Sequence, residues 1–302
     1  MLRSFKFVGA FALAAAAACS SDATAPSATS ADLTLAGGAA SSSASTSNVV
    51  VTESDIARQI EDTPPTRSWV FYTRVASPAT GAFVTGPSIP PLGSGSFEMN
   101  TPLATDKGTL FNYDHVGTRL ADINSIGYST YRDPASTAPD VQLPSVNIEV
   151  DFNGPAVAGG FTSLVFEPVY NPDQGAIQPG VWQSWNGVPG IWWSTRPING
   201  CAVSPCYQSW SDIVAANPDA TILGGFGVNQ GSGSAGLIAA TDALKLGVNG
   251  NRWTYNFEPF RTPLTKDDCK DGGWQFVRAA DGSSFRNQGQ CIKYVNETLH
   301  QD

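Results

Sequence analysis

Short apolar runs separated by Gly, Pro, Asn and Asp mark the chain between residues 69 and 257. The clearest pattern covers residues 145–152. Val146, Ile148, Val150 and Phe152 point one way and Asn147, Glu149 and Asp151 the other, the period of two that half-buries a strand. Strands are expected at 69–72, 95–100, 107–112, 125–131, 145–152, 163–167, 181–185, 221–228, 240–248 and 253–257. The 30 glycines and 21 prolines suit many turns and few long helices. Because strands do not alternate with long helical patterns, a doubly wound α/β fold is excluded. The expectation is all-β: a two-sheet antiparallel β-sandwich, jelly-roll-like, over residues 67–259. Two short helices are expected beside it. One lies within 49–63, with Thr52 as cap, Asp55 three places on, Ile56 and Ile60 on one face, and Pro64-Pro65 as its stop. The other covers 211–216, capped by Ser211 or Asp212 and ended by Asn217-Pro218.

The N-terminal pattern is of another kind. Arg3 and Lys6 precede an apolar run over 7–18, closed by Ala16-Ala17-Ala18-Cys19, which reads as a secretory signal over 1–18. A cysteine after three alanines resembles a bacterial lipoprotein processing site, with Cys19 as the acylated residue. Alanine stands three places before Cys19 where leucine is usual, and ordinary secretion with an incidental cysteine is the rival reading. Ser20, by resemblance to such lipoproteins, favours sorting to the outer membrane. The expected location is therefore the cell envelope by lipid anchor, or secretion. Residues 20–47 are almost wholly Ser, Ala, Thr, Gly and Asp, too poor in apolar area to offset ordering. With the short helix they make 19–66 a tether. Beyond residue 260 the chain turns polar and charged, through Lys266-Asp267-Asp268-Cys269-Lys270-Asp271 to Cys291. Residues 260–302 are expected to be a small stapled appendage, with too few apolar residues for a core of its own.

With Cys19 lipidated, four cysteines remain for an oxidising compartment. Three pairings are formally open. Proximity alone selects Cys201 with Cys206 and Cys269 with Cys291. A zinc site is the rival, but His115 and His300 have no metal-ligand spacing to either pair. Formal charge is −9, more negative still once Arg3 and Lys6 leave, and basic residues form no cluster. That excludes nucleic acid as a partner. The membrane, through the lipid, is the expected one.

The run Phe83-Val84-Thr85-Gly86-Pro87 through Gly93-Ser94-Gly95-Ser96-Phe97 resembles the opening of a largely uncharacterised group of secreted bacterial proteins. The runs Gly117–Ile123, Ser125–Tyr131, Leu164–Pro168, Gly231–Gly233 and Asp242–Leu244 are similar too, as are Gly272-Gly273-Trp274 and Phe285–Cys291 around the last cysteine pair. More distantly, the order of these blocks resembles laminin-G, concanavalin-like and carbohydrate-binding modules. The resemblance implies export and a jelly roll; a shared fold does not carry a function.

Candidate chemistry is sparse. Glu149-Val150-Asp151 resembles the alternating carboxylates of jelly-roll glycosidases of the laminarinase type, with Glu149 as nucleophile and Asp151 assisting. Asn153 stands where that family has its acid/base glutamate, and an amide cannot do that work. A solvent-facing strand edge bearing polar residues is the favoured alternative. There is no G-x-S-x-G elbow, and Asp114-His115 reads as a surface pair. Asp151, Asn153 and Gly154 leave room for a structural calcium at a sandwich edge, without an EF-hand loop. The unusual feature is aromatic: Trp182, Trp185, Trp192, Trp193, Tyr207 and Trp210 fall within residues 182–210. Such rings either cap the core or stack on sugar faces. As a ligand surface, Trp185, Trp192 and Trp193 would form the platform, with Asn186 and Arg196 reading hydroxyls. The leading expectation is an envelope-tethered, non-catalytic module contacting glycan or another extracellular polymer. Its rivals are a structural or protein-binding surface lipoprotein and a divergent glycosidase.

Overall fold

The computed structural model describes residues 44–198, 201 and 205–299. The signal segment, Cys19, tether residues 20–43 and His300 lie outside the described residues. The larger sheet contains β2 (Ile56–Ile60), β3 (Trp69–Thr73), β6 (Gly108–Asn112), β8 (Ser145–Asp151), β9 (Phe161–Phe166), β11 (Ile191–Ser194), β12 (Gln208–Ser209) and β13 (Thr221–Gln230). The other contains β1 (Thr46–Val51), β4 (Thr80–Thr85), β5 (Gly95–Thr101), β7 (Ile123–Arg132), β10 (Trp182–Asn186), β14 (Leu237–Val248) and β15 (Asn251–Phe257). The larger runs β12-β11-β9-β8-β13-β6-β3-β2. The other runs β1-β15-β14-β5-β4, with β7 on the far edge of β14 and β10 beyond it. The result is the expected two-sheet sandwich, antiparallel apart from two pairings, β1 on β15 and β2 on β3.

Alternation builds the core. Val146, Ile148 and Val150 of β8 point inward with Leu164 and Phe166 of β9 and Phe226 of β13, toward Ile126, Tyr128, Leu244 and Leu246 of the facing sheet. An edge-to-face array of Trp69, Phe71, Phe83, Phe97, Tyr255 and Phe257 fills one end, the ring geometry that quadrupoles favour.

β14 is paired differently along its two halves. Leu237–Thr241 pair with β5 and Leu244–Val248 with β15, both on the edge opposite β7. Asp242 sits at the fork. Its carboxylate accepts the N–H groups of Leu92 at 2.9 Å and Phe257 at 3.1 Å. Glu258 closes the same corner, accepting from Ser94 N–H at 2.9 Å. A Cβ on Gly93 would lie 1.6 Å from that carboxylate, and Gly93 holds φ +54°, so glycine is required there.

Three local expectations are corrected. Residues 49–63 form no α-helix. The branched Val49, Val50 and Val51 extend as β1, a single 3-10 turn spans Glu53–Asp55, and Ile56 opens β2. The Thr52–Asp55 capping box does form, but on that one turn. β-branched side chains and two sheet edges waiting for partners outweigh a short amphipathic spacing. The second helix, α1 (Trp210–Ala216), forms with Ser209 as its cap and Asn217 as its end. The appendage has more order than its composition implies. It contains α2 (Gln288–Leu299) and buries Val277, Ala279, Phe285 and Val295 around Cys269 and Cys291. Both expected disulfides form, with Cα atoms 5.6 Å apart for Cys201–Cys206 and 5.7 Å for Cys269–Cys291.

Candidate functional site

Period two should leave the outer face of the larger sheet in water, but much of it is shielded. Val70, Thr109, Phe111, Asn147 and Val165 all sit on that face, and each is buried. β8 is therefore no solvent edge. It lies between β9 and β13, and Asp151 on its outer side is also buried. Two recesses open on this face. A wide compartment of about 790 Å³ opens between the 61–65 turn and strands β3, β6, β8 and β13. A narrower one of about 250 Å³ continues over β8, β9 and β11. Lys107 and Ser163 line both, so the two form one groove across the strands.

The register explains who lines it. Phe111 of β6 lies opposite Gly227 of β13, Gly227 opposite Asn147 of β8, Asn147 opposite Val165 of β9, and Val165 opposite Trp193 of β11. One residue per strand thus gives a ribbon with a ring at either end. Continuing the β11–β12 register by one step sets Tyr207 opposite Trp193. The exposed Tyr207 meets the exposed Tyr170 edge to face at 5.2 Å.

In the wide compartment Tyr113 donates to the Tyr72 hydroxyl at 3.2 Å, and Tyr72 donates to the Thr63 carbonyl at 3.2 Å. Glu149 accepts the Gly225 N–H at 2.8 Å. A Cβ on Gly224 would fall 2.2 Å from the same carboxylate oxygen, so the small residue gives Glu149 its place. Burial pushes the Glu149 pKa up, against the Gly225 N–H and nearby Lys107. Burial also pushes Glu61 upward, but its bonds to Lys107 and Arg74 outweigh that and hold its pKa low. Two carboxylates of one cleft are thereby driven apart. In the narrow compartment the Trp193 indole donates to Glu167 at 2.9 Å. Burial raises the Glu167 pKa, and this bond opposes the rise. Thr109 donates to the Asn229 side chain at 2.9 Å, and Ser145 to that of Asn147 at 2.8 Å.

Of the rings anticipated as a platform, Trp193 alone reaches the groove. Trp185 is 3 % exposed and donates to the Thr130 hydroxyl at 2.8 Å, while Trp192 is fully buried and donates to the Gly187 carbonyl at 2.8 Å. Adjacent residues of one strand point to opposite faces, so Trp192 and Trp193 could not share a surface. Asn186 is exposed on β10 of the other sheet. Arg196 lies at the rim, its guanidinium 4.7 Å from the centre of the Phe161 ring. Tyr72, Tyr113 and Tyr170 went unnoticed in sequence because nothing in spacing marks a ring on a concave face. His115 is no surface residue. It is 6 % exposed, bonded to Tyr255 and packed edge to face against Trp253. Among the described residues, no group of three or more His, Cys, Asp and Glu side chains could hold a metal ion. Asp151 is occupied locally, accepting the Asn153 N–H at 3.1 Å.

No family model and no curated protein matches this chain. Among solved structures, the family 11 carbohydrate-binding module of a cellulosomal cellulase from Clostridium thermocellum covers 62 % of this chain and 91 % of its own. The identity is 11 % and the TM-score 0.35, a weak and partial likeness that carries no argument about function.

Proposed function

We propose that this protein is an exported, envelope-tethered binding module that holds a glycan chain in the groove across its larger sheet. One observation carries the reading. Tyr72, Phe111, Tyr113, Phe161 and Trp193 line a single groove together with Glu149, Asn147, Asn229 and Ser163. Sugars need this mixture: aromatic faces for their C–H surfaces and fixed polar groups for their hydroxyls. The length suits a chain of several sugars, running from the Tyr72–Tyr113 pair toward Tyr207 at the sheet edge. Export and lipid anchoring at Cys19 rest on the N-terminal sequence; among the described residues no helix is long and apolar enough to cross a membrane.

Glycan-array binding of the protein, repeated with Trp193→Ala, tests the reading. Binding that the substitution abolishes or cuts strongly supports it. An array without a single ligand, or a variant that binds as well as the parent, would remove the groove from consideration.

A second reading is favoured by the Glu149–Glu61 contrast. Two carboxylates of one cleft whose pKa values move in opposite directions are the equipment of a glycosidase. New reducing ends released from an array ligand, and lost in Glu149→Gln, would turn the module into an enzyme. Intact ligand after prolonged incubation would leave binding alone.

A further inference from the structure

The charges of the groove are lopsided. Glu61, Asp62, Glu149 and Glu167 line it against Lys107 and Arg74. Both cations are spent on one carboxylate: Lys107 pairs with Glu61, and Arg74 reaches the same group at 3.2 Å. Arg196 at the rim is turned onto Phe161, donating to its carbonyl at 3.2 Å. Glu167 is engaged by the Trp193 indole. Among the described residues Glu149 and Asp62 make no ion pair, yet both face the wide compartment. Glu149 is the more telling of the two. It is part-buried on a strand in mid-sheet, satisfied on one oxygen by Gly225, and burial raises its pKa by more than the Gly225 N–H and Lys107, itself paired with Glu61, offset.

We propose that the glycan held in this groove carries free amines, a polymer of unacetylated hexosamine units whose ammonium groups meet Glu149 and Asp62. The inference rests on the groove being a glycan site and adds the chemical class of the glycan. An ammonium supplies the direct ion pair that Glu149 lacks and donors for its second oxygen, while the sugar rings lie on the neighbouring phenols. A uronic-acid or sulfated polymer would set its own anions against these carboxylates, with Lys107 and Arg74 already committed. An N-acetylated polymer would offer an amide in place of the cation and lose the electrostatic part.

The test is calorimetric titration of the protein, at mildly acidic pH, with three probes: a β-1,4-glucosamine hexamer, its fully N-acetylated counterpart and an oligogalacturonate. The glucosamine hexamer is expected to bind at least about tenfold more tightly than the other two, the scale of one charge-assisted hydrogen bond. Glu149→Gln keeps an oxygen for the Gly225 N–H and should remove most of that advantage, leaving the share of Asp62. Asp62→Asn, at an exposed position with φ +68° that asparagine tolerates, should weaken the hexamer by about two- to fivefold, as exposed pairs do. Unchanged melting temperatures would establish that both variants fold. Equal or tighter binding of the acetylated or acidic probe, or an undiminished preference in Glu149→Gln, overturns the amine inference and leaves the glycan reading standing. Failure of all three probes together with an empty glycan array overturns both.

Discussion

His115 and Tyr255 share a 2.7 Å hydrogen bond between imidazole Nε2 and phenol oxygen inside the sandwich. Trp253 closes against the imidazole at 4.9 Å between ring centres. Burial holds the His115 pKa below its ordinary value, against the pull of Asp114. The unfolded chain therefore takes up a proton first as pH falls. Stability from this group is complete above about pH 6.5, the ordinary histidine pKa, and drains away as pH drops through the lower folded value. Urea unfolding over a pH series should show that slope. In His115→Phe the slope should flatten, at a uniform cost of about 1–3 kcal/mol for leaving the Tyr255 hydroxyl unpaired. A slope identical in parent and variant would assign the acid sensitivity elsewhere.

Asp242 pulls the other way. Its pKa is pushed up to about 7, first by burial and then by Glu258, against three backbone N–H bonds. A folded pKa above the unfolded one means that stability is fully present below the ordinary carboxylate range and lost as pH rises toward 7. The expected slope is at most about 1.4 kcal/mol per pH unit. Asp242→Asn should remove the slope from thermal melts between pH 4.5 and 7.5. It should also lower stability at every pH, because an amide offers one acceptor oxygen where Leu92 and Phe257 use two. Persistence of the slope in the variant would be the contrary outcome.

Trp192 and Trp193 separate stability from binding. Trp192→Ala empties a site between Phe166 and Trp210 and should cost about 3–5 kcal/mol. Trp193→Ala removes a half-buried ring and one bond to Glu167, and should cost under about 2 kcal/mol while abolishing glycan retention. Chemical denaturation and affinity electrophoresis read the two effects. Equal destabilisation by both substitutions would place Trp193 in the packing after all.

The two disulfides differ in what depends on them. Cys269–Cys291 closes a separation of 22 residues, so replacing both cysteines by alanine should cost about 3 kcal/mol by loop entropy. The loss should fall on the appendage, whose buried cluster surrounds that bridge, and hydrogen exchange should find the 288–299 amides deprotected while β8 and β13 stay closed. Uniform deprotection of both regions would mean that the appendage and the sandwich unfold as one unit.

The layer architecture was legible because alternation at 145–152 and its neighbours is a local signal with one geometric meaning. β1, β2, β4, β11 and β12 were not legible for complementary reasons. Val49–Val51 and Ile56–Ile60 carry both a helical spacing and β-branched content, and only the empty edges of β15 and β3 decide between them. Gln208–Ser209 is too short to show a period at all. Disulfide pairing followed from proximity, since each pair closes a short loop. The groove was the hardest feature to read. Its floor comes from residues far apart in sequence, such as Phe111, Asn147, Val165 and Trp193, that register alone aligns. Of the rings anticipated as a platform in the aromatic stretch 182–210, Trp193 alone lines the groove, because strand alternation sends Trp192 and Trp193 to opposite faces.

The parallel pairing of β1 with β15 has a mechanical side. Six residue pairs from Thr46↔Arg252 to Val51↔Phe257 align the two strands. Tension entering from the N-terminal side of Thr46 runs along the strand axis and loads the rungs together in shear, so none opens alone like the teeth of a zipper. Were the domain tethered through its leading end, as proposed, drag on that tether would meet the more resistant of the two geometries.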